Sequence, residues 1–292
     1  FMYNKIAIIG VGLIGGSLAL ALKRSNFVKK VVGFARTDTA RRKLTSEQIV
    51  DLATTNLKEA IIDADIVVLA CPMGEYKAIF KRLSGFLQPN SVITDVGSVK
   101  GKVSTLAVEM LGDRARLFVP GHPIAGSEKS GSKNASPNLF KNHSVILTRT
   151  NYTDSDALEK VASMWQATEA IVKFVSPEVH DRILASTSHL PHVLAYCLIN
   201  SLPEDPALDL SIFLGGGFRD MTRTAKSDPN MWSEILFENT ECVRDACAQF
   251  TKELNAINKA LETNDRKAVT EIFQRASVMR LGLKLPGEEN IE

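Results

Sequence analysis

The chain has 292 residues, 45% hydrophobic and 23% charged, with a formal net charge of +2 at pH 7. That composition is ordinary for globular protein, and about two domains of roughly 100–200 residues fit the length. The near-neutral balance comes with no long basic run and no basic stripe interleaved with aromatics, which argues against a nucleic-acid partner and leaves room for a small anionic substrate held by a few arginines. No apolar run approaches the roughly 18 residues that a membrane span needs, so no membrane partner is expected. The first residues lead straight into a strand, leaving no room for a signal peptide. Cys71, Cys197, Cys242 and Cys247 lack C-x-x-C spacing and sit in strand or helix runs, where buried thiols in a reducing compartment are expected. Together these features point to the cytoplasm.

Lys5-Ile6-Ala7-Ile8-Ile9-Gly10 is a short β-branched run without polar alternation, as expected of a parallel strand covered on both faces. It runs into Gly10-Val11-Gly12-Leu13-Ile14-Gly15, which opens a helix of good formers. Gly10 permits a tight turn, Gly12 lets a pyrophosphate close on the backbone, and Gly15 allows the helix to pack on the strand. The helix start at Leu13 and Ile14 then faces the anion. A glycine loop alone is an ordinary β–α turn, but strand before and helix after are the context of a dinucleotide site.

The next strand, residues 30–35, should reveal which dinucleotide is held. An NAD site usually has Asp or Glu about 20 residues past the glycines to bond the ribose hydroxyls. Here that place holds Ala35, followed by Arg36 and Thr37. Arg36 with Thr37, helped by Arg41 or Arg42, suits a 2′-phosphate, so NADP is favoured over NAD. Two alternatives stay open: Arg36 stacks on adenine while NAD binds, or Asp38 swings in as the acid.

Residues 65–72 and 91–98 are two more buried-strand runs ending in turn formers, and such ends line the ligand crevice of an open α/β sheet. Cys71-Pro72 is expected to abut the cofactor through its backbone, with a plain strand stop as the competing account. Ser98 is expected to open the next helix, as an N-cap, a catalytic helper, or both. The runs 143–148 and 170–175 bracket a helix over 155–168 and finish the sheet. Residues 1–176 are therefore read as an α/β dinucleotide-binding domain with a Rossmann-type doubly wound sheet.

Between these runs lies Gly121-His122-Pro123-Ile124-Ala125-Gly126-Ser127-Glu128. It sets a histidine capable of proton transfer among small residues that allow a ligand near the backbone, with a carboxylate close by. This is where cofactor and substrate are expected to meet.

Past Ser176-Pro177 the strand signals stop, and residues 177–292 are read as an all-α substrate-binding and dimerisation domain. Helices are expected over 178–201, 208–226, 229–261 and 265–281. His180, His189 and His192 share the first helix, but no acid stands at a metal-binding spacing, so no metal is expected. A lone helical histidine is more often packed or capping than catalytic, yet His192 lies beside the break expected at Pro191, where side chains often turn toward a cleft. Gly215-Gly216-Gly217 costs helix stability and needs a reason, of which close approach to a ligand is one. Arg219 and Arg223, one helical turn apart, can face one carboxylate or form a solvated basic face. The wide apolar faces of the remaining helices lead us to expect a homodimer through this half.

Taken in order, GVGLIGGSLALALK, DVGSVK, GHPIAGSEKSG, the pair His180-Asp181 with SHLPH, GGGFRDMTR and SDPNMW resemble the prephenate/arogenate (cyclohexadienyl) dehydrogenases of tyrosine biosynthesis over nearly the whole chain. The resemblance implies oxidative decarboxylation of prephenate or arogenate, with hydride passing to a nicotinamide. It further implies that His122 accepts the proton of the ring hydroxyl and Ser98 hydrogen-bonds at the same place. Glu128 would lie near the substrate side chain, with His192 and Arg223 as substrate-binding residues and Arg219 a less certain one. Two departures stand out: Cys71 where relatives commonly carry Thr, and the missing acid at Ala35. One rival, a β-hydroxyacid dehydrogenase, would need a catalytic Lys on the first interdomain helix, and none stands between Pro177 and Asn200. The other, a dinucleotide-sensing regulator, would have no need of His122, Ser98 and paired arginines.

Overall fold

A computed structural model describes residues 2–126, 131–204 and 209–283. Its first half alternates strand and helix: β1 (Tyr3–Ile9), α1 (Leu13–Arg24), β2 (Val28–Phe34), α2 (Asp38–Ser46), β3 (Leu52–Thr54), α3 (Leu57–Ile61), β4 (Ile66–Leu69), α4 (Tyr76–Leu83), β5 (Val92–Asp95), α5 (Gly101–Leu111) and β6 (Phe118–Val119). These strands form one parallel sheet in the order β3-β2-β1-β4-β5-β6. The chain reverses its direction of travel across the sheet at β1, so a crevice opens beyond the ends of β1 and β4, where Gly10 and Ala70 lie.

Each central strand is buried on both sides because alternate residues enter different cores. Ile6 and Ile8 join Leu18, Leu22, Val31 and Val68 on one face, while Ala7 and Ile9 join Val67, Leu69, Ile79 and Phe80 on the other. Covered on both faces, such strands read as unbroken apolar runs.

The following strands depart from expectation. β7 (Gly121–Pro123), β8 (Ser144–Thr148) and, after α6 (Ser155–Gln166), β9 (Ile171–Val175) form a separate three-stranded sheet instead of finishing the first. β7 runs antiparallel to β8, and β8 parallel to β9. A strand as short as β7 carries no periodic signal, and without it β8 has no visible partner except the larger sheet.

The helical segments are α7 (Pro177–Leu184), α8 (Leu190–Asn200), α9 (Gly216–Thr222), α10 (Pro229–Glu238), α11 (Thr240–Glu262) and α12 (Arg266–Gly282). Pro191 does not break the first helix: a wide π turn at Ala185–His189 joins α7 to α8 directly. Proline lacks an N–H and crowds the carbonyl four residues earlier, and one widened turn relieves both problems. The helix expected over 208–226 shrinks to the short α9 between tight turns, and its first residue lies outside those described. The segment 229–261 divides at Asn239. None of the four cysteines is fully buried, and Cys197 is exposed, because α8 is apolar on its outward side as well.

By its internal packing the chain falls into two compact units, Phe1–Thr240 and Glu241–Glu292. Among the described residues, the second holds α11 from Glu241 onward and α12, tied by an ion pair between Arg275 and Glu253 at 2.9 Å. Among the described residues, no helix is long and apolar enough to cross a membrane.

The crevice depends on Gly10, whose φ of +96° lies in the left-handed region and whose missing Cβ would stand 2.6 Å from the carbonyl oxygen of Ala70. Replacing it with alanine should cost at least about 2 kcal/mol of unfolding free energy, since strained φ and backbone overlap add. Urea unfolding of Gly10→Ala against the parent protein checks this.

Candidate active site

Two cavities flank the sheet end. The first, about 350 Å³, is walled by Ile9, Gly10 and Gly12 at its base, by Arg36, Thr37 and Ala40 on one side, and by Cys71, Pro72 and Glu75 on the other. It has the features that a dinucleotide needs. Among the described residues, no atom beyond its chain neighbours lies within 4 Å of where a Cβ of Gly12 would be, so none of them fills the space above the turn. The α1 N-terminus has no capping side chain, which leaves the first backbone N–H groups, those of Leu13 and Ile14 included, for an anion. Gly15 packs close instead: a Cβ there would stand 2.2 Å from the Gly10 carbonyl oxygen. Burial pushes the Cys71 thiol up to about 12, so this wall carries a neutral group.

At the rim of that cavity, Arg36 pairs with Glu75 at 2.9 Å. Thr37 caps α2, its hydroxyl accepting from the Ala40 N–H. Asp38 is held by Arg41 at 2.6 Å and Arg42 at 2.7 Å, which accounts for its lowered pKa and occupies all three groups with one another.

The second cavity, about 650 Å³, brings together Ser98, His122, His192 and Arg223, with Trp232 and Met231 among the apolar walls. His122 stands on β7, and its Nδ1 lies 2.9 Å from Nε2 of His180. His180 Nδ1 in turn lies 2.7 Å from Asp181 Oδ1. These partners settle the protons. An ionised carboxylate only accepts, so His180 donates from Nδ1. Its Nε2 is then an acceptor, and His122 must donate from its own Nδ1. His122 Nε2 is left with a free lone pair, and no described residue hydrogen-bonds to it.

Burial, with added repulsion from His180 and Lys100, holds the His122 pKa well below its usual value, so the ring is neutral at pH 7. The His180 pKa is also lowered, by burial first, although its bond to Asp181 opposes this. Burial alone would raise the Asp181 pKa, but bonds from His180 and from the Lys100 and Gly101 N–H groups outweigh it. Those two N–H groups, each 2.8 Å from an Asp181 oxygen, begin α5.

Asp181 thus caps α5 from another helix, and Ser98 does not cap it as expected. The helix begins at Gly101, which leaves Ser98 on the cavity wall beside His122. Beneath both, Asp95 and Lys100 form a fully buried ion pair at 2.6 Å. Lys100 Nζ also donates to the Gly121 carbonyl at 2.8 Å, and the Gly121 N–H donates to Asp95 at 3.0 Å.

Across the cavity His192 stacks on Trp232, with ring centroids 3.4 Å apart and planes 20° from parallel. Its Nδ1 donates to the Ser188 carbonyl at 2.9 Å. Burial first, then the nearby Arg223 cation, lowers its pKa. Arg219 does not line this cavity. It borders a neighbouring hollow of about 380 Å³ together with Arg223 and Lys226, and its guanidinium is 3.6 Å from Asp220. Among the described residues, no atom beyond the neighbouring backbone lies within 4 Å of a Cβ built at Gly215 or Gly217. Glu128 lies outside the described residues.

The three helical histidines have different surroundings: His180 bonds His122 and Asp181, His192 lines the cavity, and His189 is buried with its pKa lowered to about 4 by desolvation. Among the described residues no group of three potential ligands could hold a metal. Sequence reasoning assigned no role to Asp95, Lys100, His180, Asp181, Trp232 or Asn239, whose amide donates to the Asp181 carbonyl at 2.8 Å. The signal for the first two was a pair of charges at the end of an apolar strand run. For the next two it was adjacent polar residues inside an amphipathic helix.

The chain matches two family models in succession, prephenate dehydrogenase, nucleotide-binding domain, over residues 18–174, and prephenate dehydrogenase, dimerization domain, over residues 176–275. It is 34% identical to the prephenate dehydrogenase of Bacillus subtilis over 97% of this chain and 77% of that relative. To the cyclohexadienyl dehydrogenase of Zymomonas mobilis it is 32% identical, over 97% of each. The crystal structure of the Aquifex aeolicus prephenate dehydrogenase with hydroxyphenyl propionate and NAD+ superposes with a TM-score of 0.89 at 37% identity, covering 96% of this chain and 98% of that one. Since both halves match in order and relatives above 30% identity align along nearly its full length, the chain belongs to the prephenate dehydrogenase family.

Proposed function

We propose that the chain oxidatively decarboxylates prephenate, its amino counterpart arogenate, or both, giving 4-hydroxyphenylpyruvate or tyrosine. The observation that carries this reading is the free Nε2 of His122, held by the His180–Asp181 chain at a cavity that Arg223 also lines. Aromatisation makes the overall step strongly downhill, so a proton acceptor suffices and no Lewis acid is needed. A nicotinamide dinucleotide along the Gly10–Gly15 loop supplies the hydride acceptor.

His122 Nε2 takes the hydroxyl proton as hydride leaves the ring carbon bearing that hydroxyl. The positive charge developing on His122 is shared through Nδ1 with His180 and balanced by Asp181. Ser98, on the same wall, hydrogen-bonds the reacting oxygen. Carbon dioxide then leaves the opposite ring carbon, and the proton returns from His122 to the phenolate oxygen, so His122 ends as it began. Arg223 grips a substrate carboxylate, His192 lies against the side chain over Trp232, and Glu128 acts near that side chain. Arg219, in the neighbouring hollow, is a secondary contact for the substrate's anionic end.

The finer parts of this reading have their own supports. NADP is favoured over NAD by Arg36 at a cavity wall with no acid at Ala35, and the Glu75 carboxylate that pairs with Arg36 limits that preference. The division near residue 176 into a nucleotide-binding and a helical domain agrees with the succession of the two family models. A homodimer through the helical half accords with the second model's description and with exposed Phe273, Val278, Met279 and Leu281 on α12.

Absorbance at the reduced-nicotinamide band, with each substrate and each cofactor, tests the activity directly. His122→Asn should leave nucleotide affinity almost intact while kcat falls by about 10³-fold, within the range of a lost general base. Because the His122 pKa lies below 6.5, kcat/KM of the parent protein should stay flat through pH 7 and fall only under that value. Arg223→Ala should raise KM by about tenfold or more with a smaller change in kcat, as removal of a ground-state carboxylate grip does. Asp181→Asn keeps its size but frees the His180 tautomer. It should lower kcat by about 10²-fold or more while substrate KM changes little.

A further inference from the structure

We propose that Glu75 sets how strongly the nucleotide site rejects a 2′-phosphate, acting against Arg36. The inference rests on reading the cavity around Gly10 and Gly12 as the dinucleotide site. Among the described residues lining that cavity, Glu75 is the only acid and Arg36 the only base. They reach toward each other from opposite walls, Arg36 from the end of β2 and Glu75 from the short turn Met73–Glu75 after β4. The acid absent from the end of β2 is therefore supplied from the turn after β4. Arg41 and Arg42 cannot offset its charge, because Asp38 already engages both.

The two members of the pair are not equally free. The Arg36 side chain is 76% exposed and can swing, whereas that of Glu75 is 35% exposed. The Glu75 turn is fixed: Pro72 begins it, and the Gly74 N–H is bonded by the Glu234 carboxylate of α10. A ribose 2′-hydroxyl can donate to Glu75 without disturbing the pair. A 2′-phosphate must draw Arg36 away and still sit near a carboxylate carried on an anchored turn, which is discrimination by repulsion.

Steady-state kinetics of the full chain with NAD and with NADP, for the parent protein, Glu75→Gln, Glu75→Asp and Arg36→Ala, test this. In Glu75→Gln the ratio of kcat/KM for NADP to that for NAD should rise about tenfold, mostly through the KM for NADP, as one like charge is removed from beside a phosphate. Glu75→Asp, which keeps the charge, should hold the ratio within about threefold of the parent value. A ratio unchanged within about twofold in Glu75→Gln overturns the proposal. If Arg36→Ala then still depresses NADP use, the cavity is the adenosine end and only the role of Glu75 is lost. If neither variant moves the ratio, the reading of the cavity falls as well.

Discussion

Gly121 is held at both of its backbone polar atoms by one buried ion pair, and the position of His122 follows from that. The Asp95 carboxylate takes the Gly121 N–H, and the Lys100 ammonium takes the Gly121 carbonyl. Two charges with no solvent exposure are expensive to bury, and an isolated pair of this kind often does no better than an apolar substitute. Here the carboxylate is also bonded by the Gly97 N–H at 2.9 Å and the Tyr76 hydroxyl at 3.1 Å, so its desolvation is largely compensated. What the pair secures is placement. It fastens β5 of the large sheet to β7 of the small one and leaves the next residue, His122, on the wall of the cavity shared with Ser98 and Arg223. Little room remains for adjustment, since a Cβ at Gly121 would stand 3.0 Å from the Asp95 carbonyl oxygen.

Asp181 performs the matching task from the helical side. One carboxylate accepts from two N–H groups at the start of α5 and from His180, while its own carbonyl receives the Asn239 amide. Capping a helix start and orienting an imidazole are usually the work of different residues. Their union makes the His180 ring as rigid as α5 itself. The same geometry sets the electrostatics. Burial first, then His180 and Lys100, lower the His122 pKa and keep the ring unprotonated, while Asp181 is placed to balance a charge on the proposed base. A weak base is adequate because the proposed reaction gains its driving force from forming an aromatic ring.

The parts of this arrangement legible in the sequence are those governed by neighbours along the chain. The glycine turn, the unbroken apolar strands and the helix over residues 155–166 depend on local conformation and on burial of whole runs, and they read directly. The small sheet did not, because β7 owes its existence to the Asp95–Lys100 clamp and to β8, not to any pattern among Gly121, His122 and Pro123. Pro191 misled for a related reason. A proline signals a break only where the helix cannot widen, and the turn at 185–189 widens. Ser98 looked like a cap because its true substitute, Asp181, lies 80 residues away from Gly101 along the chain. His122 and Arg223 were recognisable as chemistry-bearing residues, whereas the His180–Asp181 chain required knowledge of which helix crosses behind β7.

The proposed base and the proposed carboxylate grip come from different parts of the chain, so their separation depends on how those parts are fastened. His122 follows the sheet, and Arg223 follows the turn after α9. Contacts joining the two sides include His122 to His180, Asp181 to the start of α5, Lys102 Nζ to the Phe237 carbonyl at 2.6 Å, and Glu234 to Gly74. Tyr196 adds a bond from its hydroxyl to the Ser227 carbonyl at 2.8 Å, pinning the segment that carries Arg223 against α8. Hydride transfer tolerates little misplacement, and an error of about 1 Å can cost about 10²-fold in rate. A substrate held at one end by a cation and at the other by an imidazole therefore needs a rigid frame more than it needs additional catalytic groups. The buried charges of this fold are spent on that frame, with Asp95 and Lys100 on the sheet side and Asp181 on the helical side.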